Sequence, residues 1–196
     1  MYTGGIMKKI KILMTILCVT FMALGMVSSA SALTITPETT LQWSGTVPNN
    51  PDAADIATIV SYGGTLYELY KQDVGGPESG SFASSYTTEF FNSPSDPEDA
   101  TITYVSGSFI SGSPLYLLVK DGNHDPIWYI FDLNSVSPPI PSVSWDGTET
   151  LELLGFWPDG GAISHVSIYG STPVPEPATL LLLGFGLIGL AGFRRR

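Results

Sequence analysis

Residues 114–133 read "PLYLLVKDGNHDPIWYIFDL". Two runs rich in leucine, isoleucine and aromatic residues flank the cluster "DGNHDP", which is made of turn formers. That pattern predicts a β-hairpin with strands near 115–120 and 127–133. Read outward, the chain repeats the same arrangement. "TLYELYKQDV", "SFASSYTTEFF", "ATITYVSGSFI", "TLELLGFW" and "AISHVSIYG" are short strand-like runs, separated by "GGPESG", "NSPSDPED", "NSVSPPIPS" and "PDGGA". Counting the weaker runs "TLQWSGTV" and "DIATIVSYG" as strands gives about nine. No window between the two ends carries a sustained helical apolar period. The expected fold is all-β, an antiparallel β-sandwich, with a barrel as the second choice. A second hairpin is expected between strands near 151–157 and 162–169. In its second strand Ile163, Val166 and Ile168 do not share one parity, so a bulge near His165 or burial on both faces is expected. No internal repeat of fixed period is present.

The charge is unevenly spread. Six of the eight basic residues lie at the two ends: Lys8, Lys9 and Lys11 in front, Arg194, Arg195 and Arg196 behind. Between them only Lys71 and Lys120 face 18 acidic residues, all located from Glu38 to Glu176, a net of −16. Such a surface repels phosphate backbones and anionic lipid, which argues against nucleic-acid binding and against docking through a basic patch.

Each end is hydrophobic, in a different way. In front, a basic start at Met7 precedes the apolar run of residues 12–27, and small residues at Ala30 and Ala32 have the spacing that signal peptidase requires. The reading is a signal peptide over residues 1–32, cut after Ala32. Cys18, the single cysteine, falls inside it, so the exported region 33–172 has no thiol. Behind, residues 174–196 read "VPEPATLLLLGFGLIGLAGFRRR". The 16 uncharged residues 178–193 would span roughly 24 Å as a helix, short of the about 30 Å of a hydrocarbon core. The expectation is a weak single transmembrane helix, stopped on the cytoplasmic side by Arg194, Arg195 and Arg196. Pro175 and Pro177 hold the backbone extended around Glu176, the conformation that proteases bind.

Val174, Pro175, Glu176 and Pro177, followed by a glycine-rich weak span and an arginine cluster, resemble the PEP-CTERM sorting signal of Gram-negative bacteria. The resemblance covers residues 173–196. It implies processing by exosortase, transient anchoring in the inner membrane, and release to the cell surface or exterior of a bacterium that makes exopolysaccharide. Signal peptidase and exosortase are the partners it implies.

The exported region offers little chemistry by sequence. Asp121, Asn123 and Asp125 have the spacing of a calcium loop, but Pro126 occupies the position where an EF-hand requires glycine. They read as a polar turn and only weakly as a metal site. His124 and His165 have no ligand partner at close spacing. No G-x-S-x-G elbow and no phosphate loop is present. Trp145 and Trp157 are candidates for a sugar-stacking platform, weighed against burial in the core. The expected function is a non-enzymatic surface or matrix-associated protein without a cofactor. A carbohydrate-binding module acting on exopolysaccharide is the alternative, and an exported hydrolase the third.

Overall fold

The computed structural model describes residues 32–39, 42–91, 97–122, 124–134 and 144–171. The signal-peptide reading up to Ser31 and the tail from residue 172 onward lie outside the described residues. Among the described residues no helix is long and apolar enough to cross a membrane.

Among the described residues ten strands form two sheets. One has the order β2 (Gln42–Gly45), β8 (Trp128–Asp132), β7 (Leu115–Asp121), β10 (Ile163–Gly170), β3 (Tyr67–Asp73), β4 (Glu78–Ser79). The other has the order β1 (Ala32–Ile35), β9 (Thr150–Leu153), β6 (Asp99–Tyr104), β5 (Tyr86–Phe91). Leu117 and Val119 of β7, Val166 and Ile168 of β10 and Phe131 of β8 meet Ile102 of β6 and Leu151 and Leu153 of β9 in one buried core. The all-β reading therefore holds, as two packed and mainly antiparallel sheets. The pair β1–β9 is parallel. Pairing of that kind joins segments far apart in the chain and leaves no turn signal between them.

The hairpin that opened the sequence reading is present, with Leu118 opposite Ile130 and Tyr116 opposite Asp132. All seven residues of β7 are buried. Its inward side chains enter the core between the sheets. Tyr116 and Leu118 face outward into a second cluster with Trp128, Ile130, Tyr169, Ile56 and Leu66.

That second cluster is closed by a helix, which corrects the reading of "DIATIVSYG" as a strand. Helix α1 (Ala53–Ile59) starts at a capping box: the Asp52 side chain accepts from Ala54 N and Asp55 N, and the Asp55 side chain accepts from Asp52 N. Ala53, Ile56, Ala57 and Val60 then recur at helical spacing and pack on the outer face of the larger sheet. Seven residues are too few to hold a helix alone, so this packing sustains it.

The expected second hairpin is also corrected. β9 and β10 belong to different sheets, and the segment between them crosses the end of the sandwich with Phe156 buried. In β10 both expected irregularities occur together. A bulge lies between Ile163 and His165, and six consecutive residues from His165 to Gly170 are buried on two faces.

Strand direction gives the sandwich two distinct poles. β1 begins at Ala32 and β10 ends at Gly170 on the same pole. There Leu133 N donates to Leu115 O and Trp145 N to Leu133 O. The opposite pole carries the β7–β8 turn and the β9–β10 crossing, tied by bonds from Leu154 N to Ile35 O and from Ile163 N to Pro97 O. The eight residues of β10 put about 25 Å between the poles.

Candidate functional site

The pole opposite Ala32 and Gly170 opens into a cleft of about 630 Å³. Three segments build it: residues 36–38 after β1, residues 124–129 in and after the β7–β8 turn, and residues 154–161 between β9 and β10.

Asp121 locks two of these segments together. Its buried carboxylate accepts from Ala162 N at 2.8 Å and holds His124 Nδ1 at 3.2 Å, which ties the turn to the crossing. Trp157 adds a second tie, its Nε1–H donating to Pro126 O at 2.7 Å. Its ring packs on Tyr129 at 5.3 Å and on Phe156 at 5.7 Å between centroids. Trp157 sits at φ 54°, a left-handed conformation that costs a non-glycine residue of order 1–3 kcal/mol and persists only where packing imposes it.

Gly161 leaves the room this arrangement needs. A Cβ there would lie 2.6 Å from Trp157 Cβ and against Asp121 Oδ2. Gly161→Ala is expected to cost about 1–3 kcal/mol through overpacking, read as a lower midpoint in urea unfolding at unchanged slope.

The cleft wall is aromatic and its rim acidic. Tyr129 is half-buried, and burial followed by the nearby Asp125 carboxylate pushes its hydroxyl pKa upward. Glu38, Asp125 and Asp159 are exposed on the rim, and Leu154 is 41 % exposed at the mouth. Among the described residues no serine or cysteine lines the cleft; its aliphatic hydroxyl is that of Thr36.

The sequence candidates separate on this framework. Asp121 is a buried tie, whereas Asp125 is exposed on the rim. Asn123 lies outside the described residues. Among the described residues no group of three or more His, Cys, Asp or Glu is placed to hold a metal ion. Trp157 lines the cleft at 7 % exposure. Trp145, 4 % exposed, sits at the opposite pole, with its Nε1–H on Glu149 O and its ring against Tyr86. The two tryptophans therefore do not share a platform. Tyr129, Glu38 and Asp159 went unnoticed in the sequence because no local spacing links them. Ala32 is the first residue of β1 and pairs with Thr150. Ala30, the motif Val174, Pro175, Glu176 and Pro177, and the cluster Arg194, Arg195 and Arg196 lie outside the described residues.

Comparison with family models matches residues 173–196 to the PEP-CTERM protein-sorting motif. The chain carries a PEP-CTERM sorting signal. That motif supports an exported protein sorted by exosortase. Comparisons with curated proteins and with solved structures give no match. The sorting signal occupies the tail alone, so any reading of the β-domain rests on its own geometry.

Proposed function

We propose that this PEP-CTERM protein acts without catalysis at the cell surface or in the extracellular matrix, and that its β-domain contacts exopolysaccharide through the cleft. The observation that carries the reading is the polarity of the fold. The described chain enters at Ala32 and leaves at Ser171 on one pole, and the cleft opens on the other. A domain tethered through that exit strand presents the cleft away from the tether. Trp157 is buried in the core, so the half-buried Tyr129 is the ring a sugar's C–H face can reach, beside exposed carboxylates that bond its hydroxyls. Signal peptidase removes the leader in this reading, and exosortase acts near Glu176.

Leu154 offers a test that spares the core, because it is 41 % exposed and belongs to neither buried cluster. Leu154→Arg sets a long charged side chain at the mouth of the cleft. Retention of the exported chain on exopolysaccharide from its host is expected to fall about fivefold or more, a loss of roughly 1 kcal/mol. Val105→Arg, at a 60 % exposed site beyond the other end of the sandwich, is expected to leave retention unchanged. Equal retention of both variants and the parent would remove the cleft from this role.

A further inference from the structure

We propose that the pole at which the chain leaves the β-domain rests on the bilayer surface while the tail is in place, through the uncharged apolar loop between β6 and β7. This rests on the tethered reading above and names the surface that the tethered domain contacts.

The loop differs from the rest of the domain in charge. Residues 100–119 contain no Asp, Glu, Lys or Arg, the longest such run between Glu38 and Glu176. Its two ends enter the sheets as β6 and β7, but residues 105–109 are exposed, Val105 and Phe109 among them. Local bonds hold that exposure in place. Tyr104 OH donates to Gly107 O at 2.7 Å, Val105 N donates to Ser85 O at 2.8 Å, and Ile110 N donates to Tyr86 OH at 2.7 Å. The Phe109 ring meets Tyr104 edge-on at 6.3 Å, whereas the next residue, Ile110, is fully buried. Asp146, on the turn that packs against this loop at Gly147, is bonded within its own turn, accepting from Thr148 N, Thr148 Oγ1 and Glu149 N.

Exposure alone does not single the loop out, because Val47 and Leu154 are exposed at the opposite pole. Position does. Gly170 pairs with Leu115 on one side and Tyr67 on the other, and Ser171 Oγ donates to Ser113 O at 3.3 Å, so the loop ends beside the exit strand. Phe109 is four residues from Ser113, no more than about 14 Å along the chain. Tyr67, on the other side of the exit, is exposed as well. Between Ser171 and Ala178, where the uncharged tail run begins, lie six residues, three of them proline. Seven peptide steps reach at most about 25 Å. Within that reach the pole can stand off or settle, and the apolar loop favours settling. Phe and Tyr suit the interfacial layer of a bilayer. A patch this small does not hold a free domain, but a short tether makes the contact intramolecular, at an effective concentration of order millimolar. An acidic surface is repelled by anionic lipid, so a contacting loop without acidic residues is the one that can approach. Once processing removes the tether, the contact becomes bimolecular and the domain leaves.

The test uses the full chain carrying Cys18→Ala, which removes its single cysteine, reconstituted in phosphatidylcholine vesicles with a nitroxide near the top of the lipid tails. A nitrobenzoxadiazole fluorophore is attached at Ser108→Cys on the loop, or at Thr46→Cys at the opposite pole, both exposed positions. Quenching at position 108 is expected to be about threefold or more stronger than at position 46. Val105→Glu, at an exposed site that leaves the core intact, is expected to reduce the quenching at 108 about twofold or more. Inserting about 30 Gly and Ser residues after Ser171 is expected to reduce it as well, because effective concentration falls as the tether lengthens. Equal quenching at the two positions would overturn the proposal. Quenching at neither, in a chain that sediments with the vesicles, would keep the tether and overturn the contact. A chain that stays in the supernatant would overturn the tethered reading too. A label at 108 that is shielded from aqueous iodide without vesicles would give this face to a second copy of the chain and overturn the proposal.

Discussion

Gly147→Ala is expected to destabilise the β-domain by about 2–5 kcal/mol, a fall in Tm of roughly 5–15 °C for a domain of this size. Two effects combine. Gly147 sits at φ 88°, where a side chain costs about 1–2 kcal/mol. A Cβ built there also runs into Ile110 O and lies 3.1 Å from the Phe109 ring, an overpacking worth about 1–3 kcal/mol more. The position has no slack because Gly147 is part of a buried polar connection. Tyr86 OH donates to Gly147 O at 2.7 Å and accepts from Ile110 N at 2.7 Å, so one phenol satisfies two backbone groups. Its ring meets Tyr70, Tyr104 and Trp145. Tyr86→Phe keeps the ring and orphans both backbone groups, at about 1–3 kcal/mol. If thermal unfolding of Gly147→Ala matched the parent within a degree, the close approach of the 109–110 and 147 segments would be refuted.

How much of this was legible depends on whether a feature is local in sequence. The β7–β8 hairpin could be read because both strands and their turn lie within 20 residues. The sorting tail could be read for the same reason, since motif, span and arginines are contiguous. The β9–β10 connection was misread because "PDGG" announces a turn and does not say which sheet the chain enters next. Phe156 and Trp157, counted as strand, are the buried residues on which the chain crosses over. The parallel β1–β9 pair left no signal of any kind. Helix α1 did leave one, the "DAAD" capping box at residues 52–55, outweighed by the β-branched residues that follow it. The cleft was the least legible feature. Its walls come from residues near 37, 125 and 157, and only the folded sheets bring them together.

The parity break in β10 has its own expected consequence, a loss of stability in acid traceable to His165. The bulge after Ile163 turns His165 to the outer face, where it is buried between Lys71 and Asp73 of β3 and Lys120 of β7. Burial lowers its pKa to about 4, the Lys71 and Lys120 charges act in the same direction, and Asp73, 3.7 Å away, offsets part of the shift. In the unfolded chain the ordinary value is about 6.5. Between those two values the unfolded state takes up a proton that the native state refuses. This contribution to stability is therefore complete above about pH 6.5, declines as the pH falls, and levels off below about pH 4. A difference of about 2.5 units corresponds to about 3 kcal/mol. Carboxylates titrate in part of the same window, so the measurement is the difference between parent and His165→Gln in urea unfolding at several pH values. The neutral amide removes the proton uptake and leaves the carboxylates in place. The variant is expected to gain about 3 kcal/mol on the parent between neutral pH and about pH 4. A difference that stays constant across that window would mean His165 is charged or solvated in the native sheet, and the outward-turned, buried register of β10 would then be wrong at its first turn.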